Sequence, residues 1–113
     1  MKKMIILFGV FFCATLMAQD FLPATDDIPL MKGLYSVEET ATFDSPSEKM
    51  VLISAQTKKT QKQVKDFYRQ TLTNLGWTVS GDNQYVRGLD TLSMELTQKS
   101  DVLTIQFTLV QKN

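Results

Sequence analysis

The spacing of apolar residues changes once in the second half of the chain, at Gly76, and this change constrains the fold more than any other feature. From Thr60 to Leu75 apolar residues recur every three or four positions, which is the period of an amphipathic helix. After Gly76 they alternate with polar residues, which is the period of strands with one face toward water. One helix followed by an antiparallel meander indicates an α+β domain.

Local signals at both ends support the helix from Thr60 to Leu75. Thr60 with Gln63 three residues later forms the pattern of a capping box. Gly76 stands where a helix usually ends in a left-handed residue. The apolar face predicted to meet the sheet consists of Val64, Phe67, Tyr68, Leu72 and Leu75.

Two strands are predicted before the helix. Tyr35–Phe43 alternates weakly and contains Glu39 on its apolar face, which favours an edge strand. A turn at Asp44–Ser47 follows, and Met50–Ala55 is then apolar on both faces, as expected for a strand inside a sheet.

Three main strands are predicted after the helix. The run Gln84–Arg87 is predicted to be a short additional strand, and in one interpretation it is part of the first hairpin. The predicted fold is a two-layer sandwich with one helix packed on an antiparallel sheet, in the order β-β-α-β-β-β. The sheet face under the helix is expected to contain Trp77, Val79, Leu92, Met94, Leu96, Leu103, Ile105, Phe107 and Leu109.

The first 18 residues have the pattern of a secretory signal peptide. Lys2 and Lys3 precede an apolar run, Met4–Ala18, that is short for a membrane span of about 20 residues. We expect cleavage after Ala18 and a periplasmic or secreted protein; an uncleaved anchor is the alternative. Cys13 follows two phenylalanines inside the run, which favours an ordinary apolar residue over a lipid-attachment site.

The chain is therefore divided into a signal peptide (1–18), a leader (19–34) and one α+β domain (35–113). The leader contains Pro23, Pro29 and Gly33, which interrupt regular structure. It also carries several apolar residues, and we expect its second part, Ile28–Leu34, to pack on the domain.

Composition excludes several kinds of enzyme. The chain has no histidine and one cysteine, which excludes Ser-His and Cys-His nucleophile pairs and imidazole metal ligands. The adjacent carboxylates Asp26–Asp27 and Glu38–Glu39 are expected to be solvated. The first pair lies in the proline-containing leader, and the two members of the second pair point to opposite faces of the predicted strand. No glycine spacing matches a phosphate-binding loop. We therefore expect a non-enzymatic protein without cofactor or metal.

A basic stripe, defined as Lys58, Lys62, Lys65 and Arg69, flanks the apolar face of the helix. The stripe either faces an anionic partner, such as an envelope protein or an anionic membrane surface, or is a solvated face neutralised by the acidic segment 20–48. Without Lys2 and Lys3 the exported chain has 10 basic and 12 acidic residues. This acidic balance argues against nucleic acid as a partner.

Aromatic residues suggest a second function. Tyr68, Trp77 and Tyr85 could line a pocket between helix and sheet for a small ligand or lipid. In a small domain such residues more often form the core, with the tyrosine hydroxyls at the edge of the sandwich.

Three segments resemble a group of small uncharacterised exported bacterial proteins. They are the Pro/Gly leader at Ile28–Leu34, the Phe-Asp-Ser-Pro turn at Phe43–Pro46, and a helix ending in Leu75-Gly76-Trp77. The resemblance implies export and a similar fold, and it implies no activity. The sequence thus predicts an exported domain that binds another envelope component through the basic stripe, with the carrier function as the alternative.

Overall fold

The computed structural model describes residues 20–25 and 27–112. The predicted signal peptide with Cys13, and also Asp26, lie outside the described residues. The described elements in chain order are β1 (Leu34–Asp44), β2 (Glu48–Thr57), α1 (Gln61–Asn74), β3 (Thr78–Gly81), β4 (Gln84–Arg87), β5 (Asp90–Lys99) and β6 (Val102–Lys112).

All six strands form one antiparallel sheet in the order β1-β2-β6-β5-β4-β3. The predicted order of two strands, one helix and a meander is confirmed, and β1 lies at an edge as expected. The short run Gln84–Arg87 is a strand of its own, β4, which pairs with both β3 and β5. The last strand, β6, joins the two halves of the sheet because it pairs with β2 and β5.

The ends of α1 follow the local signals in the sequence. The Thr60 hydroxyl accepts a hydrogen bond from the Gln63 amide, and the Gln63 side chain accepts one from the Thr60 amide, so the capping box is complete. At the other end Gly76 has φ +95°, and the amides of Gly76 and Trp77 donate to Thr73 and Leu72. This pair of hydrogen bonds is a Schellman motif, which favours glycine at the left-handed position.

The core contains buried residues of both α1 and the sheet. Val64, Tyr68 and Leu72 of α1 are buried, and the Tyr68 ring contacts the Phe107 ring of β6 edge to face at 5.4 Å. The sheet contributes residues from four strands, with Trp77 from the loop before β3: Val51, Ile53, Ala55, Trp77, Tyr85, Leu92, Met94, Leu103, Ile105, Phe107 and Leu109.

Two of the residues predicted for the core are instead exposed. Leu75 is the C-cap of α1 and is 42% exposed, because it lies beyond the last turn that faces the sheet. Val79 is 39% exposed because β3 is a four-residue edge strand. Phe67 and Leu96 are partly buried and pack against the core.

The leader belongs to the same core. Ile28 and Met31 are buried, as predicted for the part of the leader that packs on the domain. Leu22, which lies before the predicted packing segment, is also buried. The amide of Leu22 donates to the carbonyl of Ile28, and the amide of Leu30 donates to the carbonyl of Asp20, both at 2.8 Å. These hydrogen bonds close a loop that directs Leu22 and Ile28 inward. The last residue of the leader, Leu34, begins β1.

Strand β1 is regular but peripheral. None of its side chains is buried, and the register with β2 is interrupted twice. Ser36 has φ +51° at the first interruption, and Glu38 and Glu39 follow it. Bulges and charges are features that hinder the addition of further strands at an edge.

Candidate functional site

The first residue of the basic stripe, Lys58, forms an ion pair that the sequence did not reveal. Its Nζ lies 3.0 Å from Oδ2 of Asp101, in the turn between β5 and β6. The hydrogen bond to Asp101 raises the pKa of Lys58, and the same bond lowers the pKa of Asp101. Both side chains are largely exposed, so this pair neutralises charge without adding much stability.

Lys62 is also paired. Its Nζ lies 2.6 Å from Oδ2 of Asp66, one helical turn further along α1. In one of the two sequence interpretations, the acidic segment 20–48 partly neutralises the stripe. In the structure Asp101 and Asp66 neutralise Lys58 and Lys62, whereas Asp27 of the acidic segment pairs with Arg87.

The other two residues of the stripe line one cavity. Lys65 and Arg69 border a depression of about 240 Å³ between α1 and the β3–β4 hairpin, which we call the helix-flank cavity. No ion pair joins either of them to a carboxylate in the part of the chain that the structure describes. The other lining residues are Asp66, Val79, Gly81, Asp82, Asn83 and Tyr85.

Tyr85 gives this cavity a hydroxyl at a defined position. Its side chain comes from β4, and the residue is 3% exposed. Burial raises the pKa of the Tyr85 hydroxyl, and the nearby Arg69 guanidinium opposes that shift. The hydroxyl therefore remains protonated at neutral pH. Two cations and a neutral hydroxyl around one depression can bind an anionic group by charge and hydrogen bonding.

The β3–β4 turn forms the far wall of the helix-flank cavity. Asn83 has φ +56°, a left-handed conformation that asparagine tolerates well in hairpin turns. Its carbonyl accepts a 3.0 Å hydrogen bond from the amide of Met94 on β5, which fixes the turn to the sheet. Asp82 in the same turn also lines the cavity, so an anion must approach from the side of Lys65 and Arg69.

Tyr68 has a different role from the one expected. The sequence interpretation placed its hydroxyl at the edge of the sandwich. In the structure that hydroxyl is buried, donates to the carbonyl of Pro29 at 2.9 Å and accepts from the amide of Met31 at 3.3 Å. Tyr68 therefore connects the helix to the leader, and it is not available to line a ligand pocket.

Trp77 is likewise part of the core. It is 2% exposed, and the guanidinium of Arg87 covers its ring at 4.5 Å from the centroid. Its buried indole nitrogen has no hydrogen-bond partner among the described residues. Of the three aromatic residues considered for a pocket, Tyr85 lines the helix-flank cavity, whereas Tyr68 and Trp77 support the core.

Sequence reasoning missed Arg87, which joins three parts of the fold. Its guanidinium lies 2.6 Å from Asp27 of the leader, donates to the carbonyl of Leu75 at 3.2 Å and stacks on Trp77. These partners lie 60, 12 and 10 positions away along the chain, so no local pattern could have indicated them.

Residues 20–25 and 27–112 contain neither a metal-binding group of side chains nor a membrane-spanning helix. Glu38 and Glu39 are paired with Ser54 and Ile53 and lie on opposite faces of the sheet, as expected. No three carboxylate, cysteine or histidine side chains there are grouped closely enough to hold a metal ion. Within the same ranges no helix has both the length and the apolarity to cross a membrane.

Neither a family model, nor a curated protein, nor a solved structure matches the chain.

Proposed function

We propose that this protein is an exported, non-enzymatic domain that binds an anionic group of another envelope component at the helix-flank cavity. The observation that carries the proposal is the division of the basic stripe. Lys58 and Lys62 are neutralised by Asp101 and Asp66, whereas Lys65 and Arg69 border a depression and have no paired carboxylate.

The chemistry of the lining supports an anionic partner. Asp66 is already bonded to Lys62, so it competes weakly for Lys65. The Tyr85 hydroxyl lies beside Arg69 and can donate to an incoming oxygen. A phosphate of a lipid headgroup or a carboxylate on an acidic protein surface provides such oxygens, and both occur in the bacterial envelope.

The N-terminal sequence supports the location. Two lysines followed by the apolar run Met4–Ala18 favour export, and the resemblance to small exported proteins agrees with it. The ring contact between Tyr68 and Phe107 supports the finer fold proposal, a two-layer arrangement of helix on sheet. The burial of Tyr68 and Trp77 argues against the carrier alternative, which needs a cavity beside both.

Paired charge variants test this proposal. In co-sedimentation with phosphatidylglycerol vesicles, K65Q/R69Q is expected to weaken binding by roughly thirtyfold, at about 1 kcal/mol for each cation near an anionic surface. K58Q/K62Q removes the same formal charge from the neutralised half of the stripe and should weaken binding much less. Uncharged phosphatidylcholine vesicles serve as the control for non-electrostatic adsorption.

An acidic protein partner is tested with the same variants. Wild type and both double variants are used to capture proteins from envelope extract at low and high salt. The proposal predicts a partner that is lost with K65Q/R69Q and with salt, and retained with K58Q/K62Q. Equal loss with both double variants, or unchanged binding to vesicles and proteins with K65Q/R69Q, contradicts it.

A further inference from the structure

A second cavity lies between the leader and the sheet. Its volume is about 360 Å³, within the range of small-molecule pockets and larger than the helix-flank cavity. Thr25 and Asp27 of the leader form one wall, and four side chains of the sheet form the other: Lys49, Arg87, Leu109 and Gln111. We call it the leader cavity.

We propose that the leader cavity binds a small organic carboxylate. Among the described residues, its lining contains two cations, Lys49 and Arg87, and the carboxylate of Asp27. Asp27 already neutralises Arg87 through the 2.6 Å ion pair. Among the described lining residues, the ammonium of Lys49 has no paired carboxylate, and the carboxylate of a ligand can pair with it.

Lys49 is placed to receive that ligand. It lies on β2 between Asp44 of β1 and Gln111 of β6, which are its register partners. No ion pair joins it to Asp44 or to any other carboxylate among the described residues. The amide of Gln111 lies in the same lining and can donate a second hydrogen bond to a carboxylate.

Two further side chains of the sheet wall, Arg87 and Leu109, are held in position by their contacts. Arg87 is fixed by Asp27, by the Leu75 carbonyl and by its stacking on Trp77. A guanidinium held by three contacts loses little further freedom when a ligand binds beside it. Leu109, 4% exposed, supplies an apolar surface in the same cavity. This combination fits a carboxylate with a short aliphatic part better than an inorganic anion.

Titration of the ¹⁵N-labelled protein with butyrate, followed by NMR, tests the proposal. We expect saturable shifts of the amide signals of Thr25, Leu109 and Gln111. Butyramide, which has the same shape without the charge, should produce none, and acetate should bind more weakly because it makes less contact with Leu109.

Charge variants locate the site. K49Q is expected to weaken butyrate binding about tenfold through loss of a charged hydrogen bond. Q111E should do the same by placing a carboxylate in the lining. K112Q is the matched control, because it removes the same charge and because Lys112, next to Gln111 on β6, does not line the cavity.

Three results would overturn the proposal. They are the absence of saturable shifts in the millimolar range, equal shifts with butyramide, and equal weakening by K49Q and K112Q. An unchanged spectrum of each free variant outside the cavity verifies that the fold is retained.

Discussion

The leader and β1 are neighbours in the chain, and they are integrated into the fold in opposite ways. Before Leu34, the described residues of the leader form no helix or strand, only a single bridge between Phe21 and Pro29. Leu22 and Ile28 are nevertheless 1% and 0% exposed. Strand β1 has 11 residues of regular structure, and none of them is buried. Regular backbone and membership of the core are therefore separate properties in this protein.

The difference has a physical cause. The leader packs into the core, where the Tyr68 hydroxyl forms hydrogen bonds with the backbone of Pro29 and Met31. Strand β1 has one neighbour, β2, and its far edge faces solvent. A segment that buries apolar side chains against several elements contributes more to stability than one that forms a single ladder at an edge.

The largest expected effect comes from removing a buried side chain of the leader. Ile28→Ala should lower the free energy of unfolding by about 2–5 kcal/mol, because it leaves a cavity in the core. Phe43→Ala is the matched change in β1, where the side chain is 61% exposed, and it should cost less than about 1 kcal/mol. Urea denaturation of both variants measures the contrast. Equal losses would show that the leader is not part of the core.

A smaller effect is expected from the hydroxyl that holds the leader. Tyr68→Phe leaves the Met31 amide and the Pro29 carbonyl without their buried partner, which should cost about 1–3 kcal/mol. Tyr35→Phe, at an exposed position of β1, should change stability by less than about 0.5 kcal/mol. Thermal unfolding of the two variants under identical conditions compares them; a neutral Tyr68→Phe would mean that this contact is dispensable.

The same hydroxyl predicts a dependence on alkaline pH. Burial raises the pKa of Tyr68 well above its usual value of about 10. Above about pH 10 the Tyr68 hydroxyl loses its proton in the unfolded chain and keeps it in the folded chain. The free energy of unfolding therefore falls as pH rises, by at most about 1.4 kcal/mol per pH unit. The difference in stability between wild type and Tyr68→Phe should therefore narrow above about pH 10. Urea midpoints from neutral to alkaline pH test this, and a constant difference would contradict it.

Much of the fold was predictable because its signals are local. The capping box, the helical period and Gly76 act within a few residues of each other, and α1 begins and ends where they indicate. The alternation after Gly76 likewise gave the meander. The exceptions, Leu75 and Val79, lie at the end of an element or on an edge strand, where periodicity alone does not determine burial.

The candidate site was less predictable because its determinants are contacts between distant residues. The helical period grouped the residues of the basic stripe, but Lys58 and Asp101 are 43 positions apart, and their ion pair depends on where the β5–β6 turn lies. The bond between Tyr68 and Pro29 spans 39 positions, and the pair of Arg87 with Asp27 spans 60. Such contacts also shape the leader cavity, which no local pattern in the sequence indicated.

Native-state hydrogen exchange tests the central claim, that the leader is part of the core and β1 is peripheral, most directly. The amides of Leu22 and Leu30 donate to backbone carbonyls within the leader, and that of Met31 donates to Tyr68. We predict that these three amides exchange only through global unfolding, at the same slow rate as the amides of β6. The amides of β1 are expected to exchange faster, through local opening. Leader amides that exchange faster than those of β1 would contradict the account.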